Sequence, residues 1–154
     1  MQLQKGMQAP DFALYDTDRN QVTLSSLKGK KVILLFFPMA FTGVCTKELC
    51  AVRDGMAVYN NSDAVVLGIS VDSPFTLAKF KEAEGLNFQL LSDFNKEVST
   101  AYGAIYDSFI GWMKGVSKRA AFLIDANSTI QYAEVLENAG DLPNFEAIQH
   151  ILAA

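Results

Sequence analysis

Two cysteines five positions apart are the residues of this chain with the most to offer chemically. They lie in Phe37-Pro38-Met39-Ala40-Phe41-Thr42-Gly43-Val44-Cys45-Thr46-Lys47-Glu48-Leu49-Cys50. A buried strand ends at Pro38, a loop turns, and a helix begins near Thr42. The Thr42 hydroxyl is placed to cap that helix by accepting from the Cys45 N–H. Cys45 then falls in the first turn, where unpaired N–H groups and the positive end of the dipole favour a thiolate, the nucleophilic form of cysteine. The alternative is a small apolar residue on a core stripe, which is how free cysteine is commonly used.

The partners of Cys45 are few. His150, the one histidine, stands near the end of the closing helix and reads as a surface residue rather than the base of a Cys–His pair. Arginine holds a thiolate by permanent charge. Of Arg19, Arg53 and Arg119, the last stands at the mouth of the apolar strand Ala120 to Ile124. From the residues alone it reads as a solvated strand end. Cys50 is turned about 140° from Cys45, so in an intact helix their Cα atoms are roughly 8 to 9 Å apart, beyond the range of about 4.4 to 6.8 Å for a disulfide. A bond between them therefore requires the first turns to unwind, which makes it a redox intermediate rather than a structural staple. Cys50 lies off the apolar stripe, near Lys47 and Asp54, and is expected to be accessible.

The elements that must position these residues alternate between strands and helices. Phe12 to Tyr15 and Gln21 to Leu24 read as short strands, with a turn at Ser25 to Gly29. Val32 to Phe37 is continuously apolar, the mark of a central strand buried on both faces. The spacing Cys45, Leu49, Val52, Met56, Tyr59 predicts one helix from about Thr42 to Tyr59. Ala64 to Val71 is a second buried strand. Ser73 and Pro74 then open a helix that Gly85 closes. Phe88 to Leu91 is a strand, Asn95 to Gly103 a short helix, Ala120 to Ile124 and Thr129 to Val135 a hairpin, and Asn144 to Leu152 the last helix. The expected fold class is α/β with at least one parallel crossover, in one domain over residues 1–154. Phe109 to Met113 fits neither helix nor strand.

Composition limits the function classes. The chain has 154 residues, 50% hydrophobic and 19% charged, with a formal charge of -4. That is enough apolar material for a core, and the acidic balance argues against a nucleic-acid or polybasic membrane-binding surface. The longest apolar run, Val32 to Phe41, is short of the ~20 residues a spanning helix needs. No apolar signal segment opens the sequence, so a cytoplasmic protein is expected. In that compartment two cysteines point to redox chemistry, and they are too few for a cysteine zinc site.

Pro38, Thr42 and Cys45 form P-x-x-x-T-x-x-C, which resembles the active-site signature of the peroxiredoxins. Glu48 three residues on, Arg119 far downstream and the order of elements along nearly the whole chain extend the resemblance. It implies a thioredoxin-like fold, with a central mixed sheet flanked by helices. It also implies that Cys45 attacks peroxide and becomes a sulfenic acid, with Thr42 bonding the thiolate or peroxide and Arg119 polarising the peroxide. The backbone N–H groups of Val44 and Cys45 would stabilise the leaving oxygen, Pro38 would shield the thiolate, and Glu48 would orient an arginine. The loop Ala40 to Cys45 resembles the AhpE-like class. The C-x-x-x-x-C spacing resembles the PrxQ, or bacterioferritin comigratory protein, class, although Gly43-Val44 replaces that class's Pro-Gly. The implied cycle is an intramolecular Cys45–Cys50 disulfide reopened by thioredoxin or a similar thiol reductant, with no cofactor. Its rivals are a one-cysteine peroxidase served by an external thiol, and a non-catalytic redox sensor or holdase. Phe41, beside the site, and Phe109, Trp112 and Met113 read as core packing, as the lining of an organic-hydroperoxide pocket, or as a homodimer interface.

Overall fold

The computed structural model describes residues 2–154. A seven-stranded sheet is built from β1 (Ala13–Asp16), β2 (Gln21–Thr23), β3 (Lys31–Phe36), β4 (Ala64–Ser70), β5 (Gln89–Ser92), β8 (Arg119–Ile124) and β9 (Ile130–Leu136). Its order is β2-β1-β5-β4-β3-β8-β9, and β6 (Ile105–Tyr106) and β7 (Val116–Ser117) form a separate pair. β3 runs parallel to β4 and β4 to β5, while β3/β8, β8/β9 and the β1 pairings are antiparallel. Two crossovers supply the parallel pairings. The first is α1 (Gly43–Asp54) with α2 (Met56–Asn61), and the second is α3 (Pro74–Glu84). α4 (Glu97–Ala101) and α5 (Phe145–Ala153) complete the molecule. This is the α/β class with parallel crossovers expected from the strand and helix pattern, and the central mixed sheet flanked by helices that the resemblance implies.

β3 shows why a continuous apolar run belongs at the centre. Successive side chains point to opposite faces. Ile33, Leu35 and Phe37 join Cys45, Leu49, Val52, Leu77 and Phe80 in the core under the helices. Val32, Leu34 and Phe36 join Phe12, Tyr102 and Phe122 in the core on the other face. Every residue of the predicted stripe from Cys45 to Tyr59 is buried on the first face. The helix carrying the stripe is broken, however. Gly55 ends α1 and precedes α2, with φ −101° and ψ 14°. Glycine gives a helix the least support of any residue but proline, and the stripe bends here without leaving the core.

Local signals set several boundaries as expected. The Ser73 side chain accepts from the Thr76 N–H, Pro74 occupies the first turn, and Gly85 closes α3 in the left-handed conformation. Asn144 caps α5 through the Ala147 N–H. The hairpin β8–β9 begins at Arg119, one residue before the predicted start. β6 and β7 are too short to show a period in the sequence, and residues 109–113 between them form a turn closed by the Phe109–Met113 bridge. No described helix is long and apolar enough to cross a membrane.

Candidate active site

Cys45 is held where β3 hands over to α1. Pro38 is buried in the connecting loop. Phe41 adopts φ +66°, a left-handed conformation that costs a non-glycine residue of order 1–3 kcal/mol and persists only where its surroundings enforce it. Three contacts do so. The Ala40 N–H donates to Asp72 Oδ2 at 2.8 Å, the Thr42 hydroxyl donates to the Met39 carbonyl at 2.7 Å, and the Phe41 ring meets Phe80 edge-on at 5.1 Å between centroids. Asp72 is itself fixed by Ser70, whose hydroxyl donates to Oδ2 at 2.6 Å.

The cap expected of Thr42 is not formed. Its hydroxyl is turned back to Met39 and makes no side-chain cap bond. The Thr42 backbone has the extended conformation of an N-cap, φ −93° and ψ 155°, so the bond to the Met39 carbonyl, not the backbone, keeps the hydroxyl from the first turn. The first α-helical bond runs from the Thr46 N–H to the Thr42 carbonyl at 3.0 Å. The N–H groups of Gly43, Val44 and Cys45 precede it and are the open donors of a helix start.

The Cys45 side chain is 1% exposed. Arg119, from β8, approaches it across 74 residues of sequence, and Nη2 lies 3.3 Å from Sγ. Nη1 donates to Glu48 Oε1 at 2.7 Å, and the ion pair is 1% exposed on Arg119 and 0% on Glu48. The Ala139 carbonyl accepts from both Nε and Nη2, at 3.2 and 2.9 Å. The guanidinium is thus clamped in one plane by a backbone oxygen, a carboxyl and the sulfur. Burial pulls the Arg119 pKa down, but Glu48 and Cys45 together leave it above its ordinary value. Burial pushes Glu48 up to about 7, against the opposing pull of Arg119.

Cys50 stands apart. It is half-buried, and its thiol donates to Glu84 Oε1, at the end of α3, at 3.4 Å. The neighbouring Arg53 guanidinium donates to the Glu84 carbonyl, joining α1 to α3 a second time. Burial raises the Cys50 thiol, and the bond to Glu84 raises it further. Both cysteines are free, in an unbroken α1.

The structure therefore gathers Cys45, Glu48 and Arg119, with Pro38 and Val44 close by in sequence, and leaves Thr42 and Cys50 pointing elsewhere. Arg119 as a solvated strand end is overturned by its burial. His150 is exposed on α5. Phe41 and Trp112 are 56% and 73% exposed, which removes the core-packing reading for both. Asp72, Ala139 and Glu84 also touch the site, by accepting from Ala40, Arg119 and Cys50, and the sequence patterns above do not point to them. A polar residue just past a buried strand, as in Ser70-Val71-Asp72, is a signal for the first. A backbone carbonyl leaves none for the second.

Comparison with known proteins gives the family. The AhpC/TSA family matches residues 5–133. The chain is 40% identical over 136 residues to alkyl hydroperoxide reductase E of Mycobacterium tuberculosis, covering 86% of each protein. It is 40% identical over 131 residues to peroxiredoxin Bcp of Escherichia coli, covering 84% of each. Among solved structures it resembles peroxidoxin BcpB from Mycobacterium tuberculosis, with a TM-score of 0.86 and 30% identity over 98% of this chain and 97% of that one. A family match over most of the chain, on a thioredoxin-like sheet with a cysteine under an arginine at the head of α1, has one meaning: the chain belongs to the AhpC/TSA family, the peroxiredoxins.

Proposed function

We propose that this peroxiredoxin reduces hydrogen peroxide and organic hydroperoxides through Cys45. The observation that carries the reading is the Arg119 Nη2–Cys45 Sγ contact of 3.3 Å in a site closed to solvent. A guanidinium has only donors to offer, so it favours negative charge on the sulfur and on the peroxide oxygens. The Cys45 thiolate attacks the terminal peroxide oxygen. The S–O bond forms, the O–O bond breaks, and sulfur loses the two electrons that the peroxide gains. Cys45 becomes a sulfenic acid and an alkoxide or hydroxide departs, taking up a proton. The open N–H groups of Val44 and Cys45 meet the charge on that leaving oxygen. Pro38 keeps water from the sulfur, Phe41 lines the approach, and Glu48 holds Arg119 in plane. Thr42 enters the same network when its hydroxyl swings from Met39.

In the second half of the cycle the Cys50 thiolate attacks Cys45 sulfur, hydroxide leaves, and an intramolecular disulfide forms. α1 must loosen for this, and the contacts of Cys50 and Arg53 with Glu84 must open. A thioredoxin-like dithiol then reduces the bond. We read the chain as one cytoplasmic domain, monomeric or homodimeric through the exposed apolar surface near Phe41 and Trp112.

Two other readings rest on particular observations. The tethering of Cys50 to α3 favours a one-cysteine peroxidase recycled by an external thiol. The exposure of Phe41 and Trp112 favours a non-catalytic sensor or holdase. Stopped-flow fluorescence of Trp112, the one tryptophan, followed by thiol counting, separates the three. Rapid change with loss of both thiols is expected when reduced protein meets hydrogen peroxide. Loss of one thiol means the one-cysteine cycle, and retention of both removes the peroxidase reading.

A further inference from the structure

The chemistry proposed above leaves a buried acid without a task beyond holding Arg119. Glu48 Oε1 accepts from Arg119, but Oε2 is sealed from solvent and has no hydrogen-bond partner among the described residues. An ionised carboxylate has roughly four acceptor sites to satisfy, and an anionic oxygen left bare inside a protein is far costlier than a neutral hydroxyl in the same place. The second observation is the charge count. A single guanidinium lies between two acids, bonded to Glu48 through Nη1 and to Cys45 through Nη2. Its remaining bonds go to the neutral Ala139 carbonyl. With Cys45 as thiolate and Glu48 as carboxylate, the cluster carries one negative charge too many, in a place without water to disperse it.

We propose that Glu48 carries a proton while Cys45 is a thiolate and releases it as Cys45 becomes a sulfenic acid, so that Arg119 exchanges one anion for the other. This rests on Cys45 being the attacking group. The balance closes. Before reaction the thiolate is negative, Arg119 positive and Glu48 neutral. Afterwards the sulfenic acid is neutral, Glu48 is a carboxylate and Arg119 is still positive. The proton given up by Glu48 matches the one taken by the departing alkoxide or hydroxide, so the cluster is neutral at both ends of the step. Glu48 touches neither peroxide nor sulfur through this bond and acts through Arg119 as a positioning residue.

The remaining groups nearby do not upset the count. Arg119 faces Glu48 from β8, and Cys45 lies on Glu48's own helix. Beyond Arg119, the Tyr106 hydroxyl donates to the Glu137 carbonyl at 2.7 Å, and the Glu137 carboxylate is paired with Lys118. The upward displacement of Glu48 to about 7 has the direction this arrangement requires.

The test uses the full chain as Cys50→Ser, so that the sulfenic acid accumulates, with and without Glu48→Gln, near neutral pH. Mass spectrometry confirms sulfenic acid on Cys45. Infrared difference spectra before and after hydrogen peroxide are expected to lose the carbonyl stretch of a protonated carboxyl and gain carboxylate bands, and Glu48→Gln is expected to abolish both changes. A pH-indicator dye in weak buffer is expected to report no net proton uptake when Glu48 is present, and a full proton per sulfenic acid in the Glu48→Gln form. Sulfenic acid formed with no change in the carboxyl region, or with equal proton counts in the two proteins, overturns the proposal and leaves the function standing. Absence of sulfenic acid on Cys45 overturns both. Should Glu48→Gln fail to fold, the infrared spectrum of the protein retaining Glu48 decides alone.

Discussion

Cys45 and Cys50 share one helix and differ in everything that governs a thiol. Cys45 is closed off from water and has the Arg119 guanidinium 3.3 Å from its sulfur. Cys50 is half-buried and has the Glu84 carboxylate 3.4 Å from its own. The helix adds to the contrast. Cys45 lies in the first turn, among open N–H groups, whereas Cys50 lies beyond the reach of the dipole's positive end, which fades within a turn. Five residues thus separate a sulfur held by positive charge from one held as a neutral thiol. The difference explains how one short segment could supply both an attacking and a resolving group without the two exchanging roles.

The largest expected effect breaks the pair outright. Cys45→Ser is expected to abolish peroxide consumption, while Cys50→Ser is expected to keep the first oxidation and lose the disulfide. Single-turnover peroxide consumption and non-reducing mass spectrometry read the two outcomes, and comparable oxidation rates in the two variants would show that position on the helix does not select the nucleophile. Next comes the charge itself. Arg119→Met keeps much of the volume and removes the guanidinium, and the oxidation rate is expected to fall roughly 10²–10³-fold, the usual loss on removing a placed donor. Because the substitution leaves Glu48 buried without its partner, a stability loss of about 3–5 kcal/mol is expected at alkaline pH, measured by urea unfolding. A normal oxidation rate in Arg119→Met would mean that the helix start alone sets Cys45 apart.

The two sides of this comparison were unequally legible in the sequence. The spacing Cys45, Leu49, Val52, Met56, Tyr59 gave the buried face of the helix, and the apolar run of β3 gave the sheet centre, because both are periodic and local. Ser73-Pro74 and Gly85 gave the ends of α3 for the same reason. The break at Gly55 is not legible in the sequence, since a glycine inside an unbroken stripe has no period to disturb. The Thr42 cap failed because the Met39 carbonyl competes for a hydroxyl whose residue type and backbone are both right for capping. Arg119 was the hardest. A charge opening an apolar strand looks the same whether it faces water or a sulfur 74 residues away, and only the resemblance of the whole pattern to peroxiredoxins placed it in the site. Glu84 has no such pattern behind it, so the surroundings of Cys50 emerged from packing alone.

A smaller effect should show in stability against pH. Burial holds Glu48 near 7 in the folded chain against an ordinary 4.5. Between those values the folded state binds more protons than the unfolded one, so this group's contribution is full below the lower value and falls as pH rises through the higher. The gap in melting temperature between the native chain and Glu48→Gln, taken as native minus variant, is expected to be larger at pH 5 than at pH 8. An equal gap at both would mean that Glu48 is ionised throughout, with Arg119 outweighing burial.

The smallest expected effect tests the Cys50 side. Burial is the chief reason its thiol is raised, the bond to Glu84 comes next, and Arg53 opposes them. Glu84→Gln removes the negative charge and keeps an acceptor in the same place. More of Cys50 is then thiolate near neutral pH, and since the thiolate is the attacking form, disulfide closure is expected to quicken about two- to five-fold, a range suited to a partly exposed charge. The acid side of the closure profile should move to lower pH by a matching amount. The preceding reaction with peroxide should keep its rate, because Glu84 contacts Cys50 and Arg53 but not Cys45. Quenched-flow mass spectrometry separates the two steps. A closure rate unchanged at every pH would assign the slow event to the unwinding of α1, and the contrast between the two sulfurs would then be one of reach rather than of charge.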